Sequence, residues 1–379
     1  MAKIPPPSPD VKPLGRLEGP VGGDATVVLL RRVDHQPWAR VRANDAVAGG
    51  DHLLSLPAFA SNVRLESGVG LHLHGALPGH NGADPTYPLY ETEVVLHVPP
   101  PGFDADVTLD VGRIHLVNRK PQGEAKVLVR FRDQSWQVTL LDSTSEVIMD
   151  LLSRYQDPEQ FNPAGGGEPP SLGVALGAFK GRARLQTDPY AASLPLQAAP
   201  AGQLVQVPVV AIWDGKLGRL APINASPSFW GRKPETPDQR RGDLDLDQAK
   251  RALHQRLSRP DSAVEVALAE MVNGPVEAQR RLAVFGLEAI RALPALLDAL
   301  QDEQHKDVRD AAVQALIHYV GEAPDNNRRL FEVLTQNKDY KPADAVALVQ
   351  LLQGIPEKDK ADPKMYQFML TVLNSERLG

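Results

Sequence analysis

The sequence predicts a multidomain chain of β-then-α class: an all-β sandwich or roll followed by a short C-terminal α-solenoid. Three observations carry this. Short runs that alternate apolar and polar residues recur at strand-and-turn spacing up to about position 223, each closed by turn residues. Most of the 34 prolines fall before position 240, as tight turns between short strands require. Beyond position 242 the apolar spacing lengthens from two residues to about 3.6, the period of a helix with one buried face. The boundaries that follow are a proline-rich tail or linker at 1–24, an all-β domain at 25–223, a linker at 224–242 and a helical domain at 243–379.

The elements follow in order. Pro5-Pro6-Pro7-Ser8-Pro9 reads as an extended linker, a disordered tail or the cut edge of a longer chain. The run 26–33 (TVVLLRRV) is β-branched and apolar, and is expected to pair with 38–42. After the turn Ala48-Gly49-Gly50-Asp51 comes a short strand at 52–56. The strands 62–66 and 69–73 flank Ser67-Gly68, a two-residue hairpin turn. A polar loop at 79–88 precedes the strand 91–98. Further strands are expected at 105–109, 113–117, 125–131, 136–141 and 146–151, with Val111-Gly112 read as a turn. After a Gly/Pro loop at 158–170, the runs 172–185, 194–196 and 204–213 supply the last strands. Gly112-Arg113 and Gly181-Arg182 open two similar alternating runs.

Helices are expected at 245–257, from Asp261 as N-cap to Gly274-Pro275, and at 276–287, 293–300, 308–320, 326–335, 342–352 and 363–373. Short helices on short loops form an antiparallel bundle or a solenoid.

Bulk properties exclude several classes. The 379 residues carry a formal net charge of −6, so no basic face for nucleic acid is expected. The absence of cysteine removes thiol nucleophiles, disulfides and thiolate metal sites. No apolar run is long enough to span a bilayer as a helix. No Gly-x-Ser-x-Gly, His-Glu-x-x-His or paired glycosidase carboxylates appear, and Gly165-Gly166-Gly167 lacks the lysine of a phosphate loop. No catalytic residue and no cofactor is therefore assigned.

Two patterns bear on metal binding. His72 and His74 lie two apart on one face of a strand, where two imidazoles can share zinc or nickel, with His80 and His115 as candidates to approach. The alternative has them covering a solvent face with Leu71 and Leu73 turned inward. On that reading no metal is assigned. Asp243, Asp245 and Asp247 fail the calcium-loop pattern at Gln248 and His254, and read better as an acidic first turn of a helix starting near Leu246. Trp38, Trp136, Trp213 and Trp230 read as core anchors, or alternatively as a sugar-binding face.

Two resemblances sharpen the picture. Leu293-Pro294-Ala295-Leu296-Leu297, the acidic turn at Asp302 and Asp307, and Val308-Arg309-x-Ala311-Ala312-x-x-Ala315-Leu316 together resemble a HEAT repeat. Its pattern implies that Arg309 bonds Asp302 or Asp307, while Ala312 and Leu316 pack the helix pair. Arg280, Ala283, Gly286 and Leu287 stand in register with Arg309, Ala312, Ala315 and Leu316. In the β-rich half, 47–53 (VAGGDHL), 62–71 (NVRLESGVGL), 110–117 (DVGRIHLV), 136–149, 179–185 and 196–205 (LQAAPAGQLV), taken in order, resemble the FecR-type domain, the sensor and anti-sigma module named for the iron-dicitrate regulator. That resemblance implies a non-enzymatic sensor, regulatory or scaffold protein. Its β domain would bind a ligand or protein, and its helical array would dock a protein partner. A cell-envelope or glycan ligand and a periplasmic or envelope location follow if a membrane helix precedes the chain. A carbohydrate-binding module fused to a helical scaffold is the alternative.

Overall fold

The structure, a computed structural model, describes residues 12–19, 28–33, 36–77, 90–154, 171–187, 194–198, 210–214, 219–223, 237–259 and 263–322, with isolated positions to 333. It divides into two compact units, Met1–Leu152 with Gly173–Val264, and Ser153–Leu172 with Glu265–Gly379. A large β region is followed by helices, as the change of periodicity predicts.

The β-rich unit is built from β1 (Pro13–Leu17), β2 (Leu29–Val33), β3 (Ala39–Val41), β4 (Ala46–Ala48), β5 (Asp51–Ser55), β6 (Ala60–Leu65), β7 (Val69–His74), β8 (Thr92–His97), β9 (Ala105–Asn118), β10 (Ala125–Phe131), β11 (Gln134–Leu140), β12 (Glu146–Arg154), β13 (Ser171–Lys180), β14 (Arg182–Thr187), β15 (Leu194–Gln197), β16 (Val210–Asp214) and β17 (Arg219–Ile223). One run of paired strands goes β4–β1–β6–β7–β9–β12. A second goes β3–β2–β5–β8–β9–β10–β11–β14–β15. The β13–β16–β17 ladder completes the described pairings.

The long strand β9 belongs to both runs, and Gly112 is why. Val107, Leu109 and Val111 point inward, then Gly112 is buried as well, and from there Ile114 and Leu116 point inward. Two successive buried residues reverse the alternation, which is the effect of a bulge. Its ladder with β8 shifts register at the facing Glu93–Val94 step. Gly112 has φ +96°. The expected turn at Val111-Gly112, with separate strands on either side, is thus a bend within one strand. This also explains an unusual feature. Strands β9 and β10 are consecutive yet parallel, and parallel neighbours need a crossover. The second half of β9, running in the other sheet, supplies it.

Asn118 closes that crossover. Buried at the end of β9, it donates through Nδ2 to the carbonyls of Gly123 and Asp142, both at 2.9 Å, and accepts from the Lys120 amide at 3.0 Å. The core beneath β10 and β11 follows simple alternation: Ala125, Val127, Val129 and Phe131 are buried, and Trp136 meets Phe131 edge-on at 4.9 Å. Trp38 is also buried, with the Arg32 guanidinium 4.5 Å from its ring centre. Neither tryptophan forms an exposed sugar platform. The Trp213 side chain and Trp230 lie outside the described residues, as do 79–88 and 158–170.

Three elements differ from expectation. Residues 13–17, placed in the tail, form β1, hydrogen-bonded between β4 and β6. Leu17 is buried there, and a Cβ on Gly15 would collide with the Arg64 carbonyl. Strand β17, in a part of the all-β domain where no strand is expected, pairs with β16. Helix α1 (Pro237–Leu257) starts earlier than the expected linker end, so Asp243, Asp245 and Asp247 sit inside the helix rather than in its first turn. Its buried residues Leu246, Ala249, Leu253 and Leu257 are those the spacing selects. Arg40 of β3 donates to the His254 carbonyl at 3.4 Å and lies 3.0 Å from its Nε2.

The helical unit contains α2 (Val264–Val272), α3 (Glu277–Ala289), α4 (Leu293–Leu300) and α5 (Lys306–Glu322). Asp261 and the helices expected from 342 on lie outside the described residues, as does half of the one expected at 326–335. Helix α3 packs on α4 and α5, and α4 on α5. Ala283, Ala312, Ala315 and Leu316 are fully buried, and a Cβ on Gly286 would meet the Leu268 side chain at 2.7 Å. Small residues therefore set the close approach of the helices.

Two arginines, not one, bond the acidic turn, and it is Arg280 that takes the Asp307 carboxylate. Arg280 grips the Asp307 carboxylate in a two-pronged bond of 2.9 and 3.0 Å and donates to the Gly274 carbonyl at 2.9 Å. Arg309 does bond Asp302, as the repeat pattern implies, through the main-chain carbonyl at 2.7 Å. The Asp302 carboxylate is already taken by the amides of Gln304 and His305, both at 2.8 Å, and by the His305 ring. Arg280→Ala strands a half-buried carboxylate and an acceptor. It should cost about 2–4 kcal/mol, read as faster amide exchange throughout α3–α5.

Candidate metal centre

Three imidazoles meet on one face of the β7–β9–β12 ladder. His72 and His74 are alternate residues of β7, so both project from the same side. Register pairs His72 with His115 and His74 with Arg113 across β7 and β9. Glu146 of β12 lies diagonally across from His115, whose register partner is Ile148. The bulge at Gly112 sets the parity that puts His115 on this face: without it, even-numbered residues of β9 would point here instead.

One ring nitrogen from each of His72, His74 and His115 falls within 4.8 Å of the other two. The His74 and His115 rings are 4.1 Å apart at their centres, and His72 and His115 are 6.4 Å apart with nearly parallel planes. Leu71 and Leu73 do turn inward, but the histidines opposite them are half-buried, not a solvent-washed face. His115 keeps only 13% of its side-chain surface exposed. Phe179, 6.0 Å away ring to ring, stands beside the cluster. His80 lies outside the described residues.

The hydrogen bonds fix what each ring can offer. His115 Nδ1 sits 2.6 Å from Glu146 Oε1. An ionised carboxylate only accepts, so Nδ1 carries the proton and Nε2 faces away from it. The bond from His115 holds the Glu146 carboxyl below the usual carboxylate range, against the opposing effect of burial. Arg119 donates to His72 Nε2 at 2.9 Å, and its other nitrogen is held by both Glu18 oxygens at 2.7 and 2.8 Å. Gly70 of β7 leaves the space this arginine occupies, since a Cβ there would sit 2.8 Å from Arg119 Nε. Among the described residues, none hydrogen-bonds the buried His74 Nε2.

Burial, then the charge of Arg119, lowers the His72 pKa to about 4. Burial, then the neighbouring imidazoles and Arg113, lowers that of His74 well below its ordinary value. Both rings are consequently neutral lone-pair bases at neutral pH. Below them, Arg113 forms a two-pronged bond of 2.7 and 2.8 Å to Asp150, which is fully buried.

The sequence pattern named His72, His74 and His115. It missed Glu146, Arg119 and Glu18, because nothing short of strand register brings them together. A second group, His52, Glu93 and Asp110, also meets closely, but Arg32 already takes Glu93 at 3.3 Å.

The helical unit carries a separate feature. A groove of about 460 Å³ is floored by Ala269, Val272, Leu287, Ala295 and Ala299, with Asn273, Asp298, Asp302, Glu303 and Gln304 around its rim.

No family model, curated protein or solved structure matches this chain. Among the described residues, no helix is long and apolar enough to cross a membrane.

Proposed function

We propose that this chain is a non-enzymatic binding protein, in which a FecR-like β domain holds a ligand and HEAT-like helical hairpins dock a protein partner. The observation that carries the reading is the acid-rimmed apolar groove formed by α2, α3, α4 and the 302–304 turn. Paired helices set by small residues and an Arg280–Asp307 clamp give a stiff surface, and a stiff surface binds with less ordering cost than a loop. The rim selects a basic partner, since like charges across an interface are strongly disfavoured. The ordered β motifs favour recognition over catalysis in the other unit.

The test is affinity capture with the full chain and with Asp298→Lys/Glu303→Lys. Both positions are exposed, and an unchanged urea midpoint is the control for folding. Proteins retained by the natural chain should fall at least roughly tenfold with the double variant, in line with like-charge repulsion of several kcal/mol. Equal retention by both would contradict the docking reading.

A further inference from the structure

We propose that His72, His74 and His115 form a binding site for a divalent transition-metal ion of the zinc class, with Glu146 as the carboxylate that orients His115. The proposal goes beyond the protein-docking reading and stands independently of it.

Four observations converge. The donors are three imidazoles from two adjacent strands, the ligand type that suits zinc, copper and nickel. Their ring nitrogens lie within 4.8 Å of one another. Tetrahedral zinc with bonds near 2.1 Å needs roughly 3.4 Å between ligand nitrogens, a difference that side-chain rotation closes. His115 already bonds a carboxylate through Nδ1, the arrangement that presents Nε2 to a metal and raises its basicity. His74 Nε2 is buried and has no hydrogen-bond partner among the described residues. A buried polar atom left unsatisfied is destabilising, and a metal bond would satisfy it.

Arg119 gives the site its particular character. A guanidinium has only donors, so its bond to His72 Nε2 occupies the lone pair that a metal would take. Metal and arginine compete for one nitrogen, and Glu18, which already holds the other end of the guanidinium, would keep it after displacement. The ion must therefore swing Arg119 aside, and three protein ligands leave its fourth position to water or to an outside donor.

The experiment is calorimetric titration of zinc chloride into chelator-stripped full-length protein, repeated with cobalt(II) to read a tetrahedral absorption spectrum. One ion per chain is expected. His74→Ala and His115→Ala should weaken binding at least about 100-fold, and Glu146→Gln about 10- to 100-fold. Arg119→Met should tighten it, because the competitor is gone. The last variant keeps every ligand, so its gain cannot arise from misfolding. Absence of stoichiometric heat, heat unchanged by both histidine variants, or weaker binding in Arg119→Met would each overturn the site. If zinc binds as described while groove variants leave protein capture unchanged, the metal site stands and the docking reading fails.

Discussion

Replacing Gly112 by valine is expected to lower the stability of the β-rich unit by about 4 kcal/mol or more. Two costs add. At φ +96° an L-residue is strained whatever surrounds it, by about 1–3 kcal/mol. In addition, a Cβ there would collide with the Glu91 carbonyl, the Thr92 hydroxyl and the Thr92 backbone. Those atoms are not the free ends of flexible chains. Thr92 Oγ1 accepts from the Arg113 amide at 2.8 Å and lies 2.6 Å from the His74 carbonyl, so it ties β7, β8 and β9 together. Gly102 supplies the control. Its φ is +90°, yet nothing lies within 4 Å of a Cβ placed on it. Gly102→Ala should cost only the backbone term, while Gly112→Ala carries both. Urea unfolding of the two alanine variants separates them. Against a typical net stability of about 5–15 kcal/mol, the valine variant should accumulate poorly as soluble protein.

Asp150→Ala should be nearly as damaging, at about 3–5 kcal/mol. Asp150 has no exposed surface, and its two oxygens hold Arg113 at 2.7 and 2.8 Å. Truncation leaves a guanidinium in a mostly dry environment without its counter-charge, and desolvation of a lone ion is far more costly than the pair's attraction is favourable. Lys306→Ala offers the contrast. That lysine pairs with Asp310 at 2.7 Å, but the two side chains are 72% and 50% exposed. Exposed helical pairs contribute about 0.3–0.5 kcal/mol, so the denaturation midpoint should barely move.

Much of the fold is legible in the residues, and the exceptions have physical causes. Period-two alternation places β6, β7, β8, β10 and β11 within a few residues, because each has one dry face, while β12 shows as a near-continuous apolar run because Val147–Leu151 are buried on both faces. The hairpin at Ser67-Gly68 follows from the glycine. Gly112 misleads: a glycine beside a valine signals a turn or a bulge equally, and only the reversed burial parity of β9 distinguishes them. Strand β1 is hidden by its neighbourhood of prolines, though Leu17 is as buried as any core residue. In the helical unit the small-residue spacing is readable, whereas the choice between Arg280 and Arg309 as partner of Asp307 depends on how one helix pair is offset from the next. The histidine cluster is half legible. His72 and His74 share a face by arithmetic, but His115, Glu146 and Arg119 join them through long-range register that no local pattern encodes.

The most direct test of the binding account places a photo-crosslinking residue at Asn273, on the groove rim, and a second at Asp310, an exposed position outside it. In full-length protein expressed in its own cells, Asn273 should trap a discrete partner whose contact segment is basic with an apolar centre, and Asp310 should not. Equal crosslinking at both positions, or an acidic contact segment at Asn273, would contradict it.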